Sequence, residues 1–249
     1  MLAEVAAKQR RRAGAMAQSI DFRREMLART MLFGALEDGQ LDSLIQLSTT
    51  RQLKAREELC HKGDEGTQLF LIQSGRLKVV TTSVEGSDLT FTVMGPGEVV
   101  GELALLGAGI RTATISALER CDLLVIERRD FLQLLRENSE VSIQLLQILA
   151  RRVARLSETM EDSQFLNLPA RLAKKLLALG RAYGKEEAEG VRIQLKLSQS
   201  ELADLVATTR ESVNKQIKTW RDEGVLSMES GRIILHRTEA LEDAAEANR

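Results

Sequence analysis

Apolar residues recur at alternating steps of three and four between positions 139 and 163, and this pattern predicts the longest helix of the chain. The repeat consists of Leu146, Leu149, Val153, Leu156 and Met160. Alternating steps of this kind are the a/d pattern of a coiled coil. A helix of about 25 residues would be roughly 37 Å long, which exceeds the need of one small domain. The pattern therefore predicts either a dimer seam that joins two domains or an ordinary core helix.

From residue 51 to residue 127 the pattern changes to short apolar segments that partly alternate and are rich in Val, Thr and Phe. These segments are divided by Gly63, Gly66, Gly75, Gly86, Gly95 and Gly97. Many short strands at such spacing predict a small β-roll or barrel. Residues 31–47, before the strands, predict short helical pieces.

After the long helix the pattern predicts two short helices and a hairpin. Ser198 with Glu201, and Thr208 with Glu211, have the spacing of capping boxes. We expect each pair to start a helix, with a three-residue turn between the two helices and a hairpin turn near residues 229–231. Helix, turn, helix and hairpin in this order are the layout of a winged helix-turn-helix.

The patterns together predict an α+β chain of five segments. These are a flexible basic arm at 1–30, a β-roll at 31–136, a dimerisation helix at 137–166, a winged helix-turn-helix at 167–237 and an acidic tail at 238–249. An exposed acidic loop at 184–190, with a strand after it, is a candidate surface for RNA polymerase or simply a solvated loop.

The second short helix, predicted at residues 209–223, has an apolar side that carries Val213, Ile217 and Trp220. Its polar N-terminal half is the part that contacts base edges when such a helix enters the major groove. Arg and Lys suit guanine, Asn suits adenine, Glu suits cytosine, and hydroxyls suit phosphate. A solvated charged face is the alternative. The candidate DNA contacts are Ser198, Gln199, Thr208, Thr209, Arg210, Glu211, Asn214, Lys215 and Lys218.

A second candidate site is a glycine-started helix near residues 101–106, followed by a polar segment. The backbone N–H groups of such a helix start, together with Arg111 and Thr112, can hold a phosphate. Glu102, nine residues before Arg111, can accept a hydrogen bond from a ribose hydroxyl. An internal ion pair between Glu102 and Arg111 in a plain barrel is the alternative.

Composition narrows the functional classes. The net charge is −1, but residues 168–237 hold 13 Lys/Arg and 9 Asp/Glu, which suits an anionic partner. Cys60 and Cys121 are isolated, which argues against a disulfide framework, an iron–sulfur cluster or a metal site. No nucleophile–base set or Walker-type loop is present, so we expect no enzyme. No apolar run approaches 18 residues and the N-terminus lacks a signal-peptide core, so we expect a cytoplasmic protein without a membrane span.

The two motifs together resemble the CRP/FNR (cyclic-AMP receptor protein) family of bacterial transcription regulators over roughly residues 31–237. VVGELALLGAGIRTATI resembles the family's phosphate-binding cassette, and TTRESVNKQ resembles the start of its recognition helix. The resemblance implies an N-terminal cyclic-nucleotide-binding β-roll, a coiled-coil dimer helix and a C-terminal winged helix-turn-helix. It implies a homodimer that binds palindromic double-stranded DNA, with a cyclic nucleotide as effector and no tightly bound cofactor.

The resemblance also implies a ligand set, which is Gly101, Glu102, Leu103, Arg111, Thr112, Leu156 and Ser157. In cyclic-AMP-responsive members, neighbouring hydroxyl residues of the dimer helix meet the adenine, and Leu156 and Ser157 take those places here. Leu156 neither donates nor accepts a hydrogen bond. Three interpretations stay open: cyclic AMP with weaker purine selection, another nucleotide such as cyclic GMP or cyclic di-GMP, or no ligand. Lys215 stands where the family commonly has arginine, which leaves the half-site sequence open.

Overall fold

The computed structural model describes residues 21–82 and 88–247, and the chain divides into two compact units. The first unit runs to Thr81 and continues over Thr92–Arg152, whereas the second comprises Thr82–Phe91 and the chain from Val153 onward. The longest helix passes from one unit to the other after Arg152. Residues 1–20 of the predicted basic arm lie outside the described residues.

The first unit contains two four-stranded sheets and flanking helices, except that residues 82–91, at the end of β4 and the start of β5, belong to the second unit. Its helices are α1 (residues 21–28), α2 (Asp38–Leu47), α3 (Glu102–Leu106), α4 (Arg128–Glu137) and the first part of α5 (Ser139–Phe165). The strands are β1 (Thr49–Leu53), β2 (Glu58–Cys60), β3 (Gln68–Ser74), β4 (Leu77–Thr82), β5 (Asp88–Met94), β6 (Val99–Val100), β7 (Thr114–Ala117) and β8 (Cys121–Glu127). The sheet orders are β1-β8-β3-β6 and β2-β7-β4-β5. The predicted β-roll is confirmed.

Strand β3 is an unbroken apolar run because it is buried on both faces. Leu69 and Leu71 belong to the core shared with the helices, whereas Phe70 and Ile72 belong to the core between the two sheets. Successive side chains of a strand point to opposite faces, so one run of four apolar residues supplies both cores.

The core between the first sheet and the helices, called the helix-side core below, joins the start of α5 to α1 and to α3. Leu27 and Leu105 are fully buried in this core, together with Val141 and Leu145 of α5. The Arg24 guanidinium donates from Nε and Nη2 to the two carboxylate oxygens of Asp42, at 2.7 Å each. The flexible arm predicted at 1–30 therefore does not extend over residues 21–30, because apolar positions in that stretch are buried in the core.

The second unit begins with the rest of α5 and contains a helix-turn-helix and a second small sheet. Its helices are α6 (Leu168–Tyr183), α7 (Gln199–Leu205), α8 (Arg210–Asp222) and α9 (Thr238–Glu246), and its strands are β9 (Gly184–Glu187), β10 (Gly190–Ile193), β11 (Leu226–Glu229) and β12 (Arg232–Leu235). These strands form one sheet in the order β11-β12-β10-β9. The predicted winged helix-turn-helix is confirmed.

Two predicted features of the second unit need correction. The acidic loop at 184–190 is a hairpin, because Gly184–Glu187 pairs with Gly190–Ile193 as β9 and β10; the side chains of β9 are exposed throughout. The acidic tail at 238–249 is largely the helix α9, which packs on α6 and buries Leu241 completely. Leu241 is the one large apolar residue among alanines and acidic residues, which is a weak periodic signal, and therefore the pattern did not predict this helix.

Of the two predicted capping boxes, one is confirmed and one is wrong. The Ser198 hydroxyl accepts from the Glu201 N–H and the Glu201 carboxylate accepts from the Ser198 N–H, so this capping box is confirmed. The predicted box of Thr208 and Glu211 is wrong, because the Thr209 hydroxyl caps α8 by accepting from the Ser212 N–H at 3.2 Å.

Candidate functional site

Gly101 starts α3 in a conformation that a side chain would not tolerate. Its φ is +92°, and a Cβ built there would lie 2.3 Å from Nη1 of Arg111 and 2.9 Å from the Gln68 carbonyl oxygen. Gly66 supports α3 from another side, since a Cβ there would lie 2.4 Å from the Ala104 Cβ. Residues 101–112 are called the cassette below. At both Gly66 and Gly101, the packing around the cassette leaves no room for a side chain.

Arg111 is only 5% exposed and its guanidinium is fixed by backbone carbonyls. Nη1 donates to the Gly101 carbonyl at 3.2 Å and Nη2 donates to the Gln68 carbonyl at 2.8 Å. The guanidinium carbon lies 5.3 Å from the centroid of the Phe70 ring, within the range of a cation–π contact. Nε is buried and has no hydrogen-bond partner within the described part of the chain.

Glu102 is 2% exposed and pairs with a residue that the sequence did not single out. Its Oε1 accepts from Nη1 of Arg152 on α5, and Nη2 of Arg152 donates to the Val99 carbonyl at 2.6 Å. Oε2 of Glu102 is buried without a partner among residues 21–82 and 88–247. The ion pair between Glu102 and Arg111, weighed as the alternative, is not formed; Arg152 takes that position.

A third arginine holds the other end of α3. Nε of Arg128 donates to the Leu105 carbonyl at 3.2 Å, in the last turn of α3. A cation at a helix C-terminus satisfies a free carbonyl and is favoured by the helix dipole. The cassette is thus held by Arg111, Arg128 and Arg152, of which only Arg111 was predicted. Arg128 and Arg152 lie 23 and 50 residues from their partners, so no local pattern could have revealed them.

The remaining predicted ligand residues have exposed side chains. Leu103 is 48% exposed and Thr112 is also exposed. Leu156 is 50% exposed and Ser157 is exposed, and both lie in the part of α5 that belongs to the second unit. The first unit therefore brings together the half-buried Gly101 and the buried Glu102 and Arg111.

The apolar seam of α5 is largely uncovered in the single chain. Exposed fractions range from 50% to 70% for Leu146, Val153, Leu156 and Met160. Leu149 is the exception, since it packs partly against the helix-side core. A row of exposed apolar side chains along a helix marks a surface that another element covers.

In the second unit, the N-terminal half of α8 presents its polar side chains to solvent. Val213, Ile217 and Trp220 are buried as predicted and hold α8 in the core. The exposed predicted contacts on α8 and its cap are Thr209, Arg210, Glu211, Lys215 and Lys218. Thr209, Arg210, Glu211 and Asn214 line a common hollow. Ser198, at the start of α7, is exposed, while Gln199 and Thr208 are half-buried.

The β11–β12 hairpin, called the wing, lies beside a basic residue that is not among the predicted DNA contacts. The Leu197 N–H donates to the Gly231 carbonyl at 3.3 Å, which sets the wing turn beside the start of α7. Lys196, next to Leu197, is exposed and its Cγ lies 4.0 Å from the Cβ position of Gly231. The wing is tied to the β9–β10 hairpin by His236, whose Nδ1 lies 2.6 Å from the Glu189 carbonyl.

Within residues 21–82 and 88–247, no three or more His, Cys, Asp or Glu residues are grouped as metal ligands. In the same residues, no helix combines the length and the apolarity that a membrane crossing requires.

Comparison with known proteins identifies both parts of the chain. Residues 50–138 match the family "cyclic nucleotide-binding domain", and residues 170–244 match the family "Crp-like helix-turn-helix domain". A cyclic AMP receptor protein from Thermus thermophilus is 30% identical over 214 residues, which cover 86% of this chain and 96% of that protein. The chain belongs to the CRP/FNR family.

Further CRP/FNR proteins agree in both sequence and structure. A CRP-like cAMP-activated global transcriptional regulator from Mycobacterium tuberculosis is 29% identical over 217 residues, covering 87% of this chain and 97% of that protein. A crystal structure of a CRP-family transcriptional regulator from Thermus thermophilus matches with a TM-score of 0.68 at 27% identity, covering 78% of this chain and 96% of that chain. As a member of the CRP/FNR family, the protein is a DNA-binding transcription regulator with a cyclic nucleotide-binding domain, and not an enzyme.

Proposed function

We propose that the protein is a homodimeric regulator whose affinity for palindromic operator DNA is controlled by a cyclic nucleotide bound at the cassette. The observation that carries this proposal is a pair of buried polar atoms without partners in the described part of the chain, Oε2 of Glu102 and Nε of Arg111. Each such atom costs about 1–3 kcal/mol when it is left unpaired. A ligand that presents a phosphate and a hydroxyl would pair both atoms.

The chemistry of the cassette favours a cyclic nucleotide. Arg111 supplies positive charge, Thr112 a hydroxyl and the start of α3 free N–H groups, which together suit the cyclic phosphate. The Glu102 carboxylate suits a ribose hydroxyl. Cyclic AMP is the first candidate, because the relatives described above are named for it. Leu156 and Ser157 would meet the base with one hydrogen-bonding side chain instead of two, so cyclic GMP and cyclic di-GMP belong in the same test.

Arg152 offers a route from the ligand to the long helix. A ribose hydroxyl on Glu102 would change the hydrogen bonds that Glu102 shares with Arg152, which lies on α5. Leu105 of the cassette and Val141 of α5 also share one core. The ligand can shift the arrangement of α5 only to the extent that it binds one arrangement more tightly than the other.

We further propose that the seam of α5 pairs with the same seam of a second subunit. Two half-sites about one helical turn apart, roughly 34 Å, would then each receive one copy of α8. Val153→Asp would place a charge at the seam, so sedimentation should show a monomer and operator affinity should fall. Glu158→Gln, on the exposed side of α5, is the control that should stay dimeric. A dimeric Val153→Asp variant would remove the seam assignment.

Arg210, Glu211, Asn214 and Lys215 are the proposed base-reading residues, and Ser198, Gln199, Thr208, Thr209 and Lys218 the proposed backbone contacts. Glu211→Ala should relax base preference at one position of the half-site, measured by binding to systematically varied operators. Lys218→Ala should weaken binding on all sequences and reduce the salt slope by about 1. Equal losses on every sequence for both variants would contradict the role of Glu211.

The ligand is tested by operator titration with and without cyclic AMP, cyclic GMP and cyclic di-GMP. One of them should raise operator affinity, and Arg111→Ala should abolish that response. Arg129→Ala is the control, because Arg129 is 83% exposed and pairs with Asp130 instead of the cassette. An operator affinity that no nucleotide changes would contradict ligand gating, and an unaltered response in Arg111→Ala would move the ligand elsewhere.

A ligand-independent regulator is the second candidate, and the Arg152–Glu102 pair is the observation that favours it. That pair already satisfies one carboxylate oxygen of Glu102 without a ligand. A nucleotide that binds the folded protein raises its melting temperature by mass action. An unchanged melting temperature in millimolar cyclic nucleotide would support the constitutive regulator.

The β9–β10 hairpin is the proposed contact for RNA polymerase, which would place the protein in the cytoplasm with its DNA. Its side chains Lys185, Glu186 and Glu187 are all exposed. Replacing Glu186, which makes no ion pair within the described residues, by Gln should lower transcription activation without changing operator affinity. Unchanged activation would leave the hairpin as a solvated surface.

A further inference from the structure

In the second unit, α5 carries the cation Arg155 and α6 carries the cations Arg171 and Lys175. Arg171 and Lys175 are four residues apart on α6, and residues with that spacing are neighbours on one helix face. Arg155 on α5 is close enough to Lys175 for its charge to act on it. Arg171 and Lys175 are half-buried, whereas Arg155 is exposed.

A neighbouring lysine, Lys174, is paired with two carboxylates at the junction of α5 and α6. The Lys174 ammonium lies 2.7 Å from a carboxylate oxygen of Asp162 and 3.4 Å from one of Glu158. Among residues 21–82 and 88–247, neither Arg155, Arg171 nor Lys175 makes an ion pair with a carboxylate. Glu158 and Asp162 therefore compensate Lys174, whereas the other three cations have no carboxylate ion-pair partner in the described part of the chain.

Arg171 is only partly satisfied. Its Nη1 donates to the Leu166 carbonyl at 3.0 Å, at the turn between the two helices. Its Nε is buried and has no acceptor in the part of the chain that the structure describes. A buried guanidinium N–H that points at no acceptor is a donor available to a bound anion.

The cluster is electrostatically unfavourable as it stands. Burial lowers the pKa of Lys175, and the charge of Arg155 lowers it further. Because α6 begins at Leu168, Arg171 also lies at the end of its first turn, where the helix dipole opposes positive charge. A bound anion would offset each of these unfavourable contributions.

We propose that Arg155, Arg171 and Lys175 form a binding site for the phosphate group of a small phosphorylated ligand. Two guanidinium groups suit the paired oxygens of a phosphate, and the ammonium adds a point charge. A doubly charged phosphate matches three cations better than a single carboxylate does. The half-buried position of Lys175 favours a small ligand over the DNA backbone. The site uses no cassette residue, so failure of the cassette to bind a nucleotide would not affect it.

The test is calorimetric titration of the full chain with inorganic phosphate and with pyrophosphate. We expect saturable binding that weakens about tenfold in both Arg155→Gln and Lys175→Gln, a change of about 1.4 kcal/mol. Lys174→Gln is the matched control and should bind within about twofold of the wild type, because its cation is already neutralised. Lys175→Met is a second variant that keeps the aliphatic length in case the glutamine is poorly tolerated.

Three results would overturn the proposal. The first is the absence of saturable binding of either anion to the wild-type chain. The second is an equal loss of affinity in Lys174→Gln, which would indicate general charge attraction. The third is a cluster that acts only on DNA, where Arg155→Gln and Lys175→Gln lower the salt slope of operator binding but phosphate and pyrophosphate do not bind. The third result would assign the phosphate to the DNA backbone.

Discussion

Gly101 shows how a single position sets the geometry of the cassette. Its positive φ and the 2.3 Å approach to Arg111 leave no space for a methyl group. We expect Gly101→Ala to displace the Arg111 guanidinium and to destabilise the fold by about 1–3 kcal/mol through backbone strain. Thermal unfolding measures the stability and nucleotide titration measures the site. Gly97→Ala is the control, because it shares a positive φ but has no neighbour within 4 Å. Equal effects on nucleotide binding in the two variants would contradict the contact argument.

The reactivity of the Cys60 thiol depends on pH and on the charge of Arg111. Burial raises the pKa of the Cys60 thiol, and the nearby Arg111 cation opposes that rise. Removing the cation disfavours the thiolate, so Arg111→Ala should raise the pKa further and slow alkylation at a given alkaline pH. Iodoacetamide labelling followed by mass spectrometry measures the rate, with buried Cys121 as the internal reference. Faster labelling of Cys60 in the variant would contradict the proximity.

At the scale of single residues, the sequence indicated Glu102 and Arg111 as candidates because both lie within one short motif. It did not find Arg152 or Arg128, because their roles depend on the tertiary placement of α5 and α4 against α3. The alternative for Glu102 was an ion pair with Arg111, nine residues away, and that pair is not formed because Glu102 pairs with Arg152. Spacing along the chain indicates which residues share a loop, but not which cation reaches a buried acid.

At the scale of elements, the two adjacent threonines before α8 have different roles. Thr209 caps the helix through the Ser212 N–H, whereas the Thr208 N–H donates to the Ala203 carbonyl and closes the preceding turn. We expect Thr209→Ala to cost about 1 kcal/mol of stability, because the N-cap hydroxyl is lost. Thr208→Ala should cost less, since its backbone bond persists. Denaturant unfolding compares the two, and an equal or larger loss in Thr208→Ala would contradict the assignment.

Helix ends were predictable where one residue type determines them locally. Ser198 begins α7 with a side chain suited to a cap, and Gly224, with φ of +68°, follows the end of α8. Strand β9 was not predictable, because GKEEAEG has no strand preference of its own. It is a strand because Glu186 and Glu187 lie opposite Val191 and Gly190 in the hairpin. Pairing with the adjacent strand β10, and not the local sequence, determines such an element.

At the scale of the whole molecule, α5 is the helix that continues from one compact unit into the other. If a nucleotide at the cassette strengthens operator binding, linkage requires that operator DNA strengthen nucleotide binding by the same factor. We expect the two factors to agree when nucleotide affinity is measured by calorimetry with and without operator, and operator affinity with and without nucleotide. The nucleotide could raise operator affinity while operator DNA leaves nucleotide affinity unchanged. That result would show that a further equilibrium is involved.

The packing of α9 on α6 determines where a recombinant DNA-binding fragment can end. Leu241 is fully buried although only one side of α9 is apolar, so it covers apolar surface that the chain before it would otherwise leave bare. A recombinant DNA-binding fragment that stops at Arg237 would carry an uncovered apolar surface and a tendency to aggregate. Fragments and fusions of this regulator are therefore best extended through Ala247, with any tag separated by a linker.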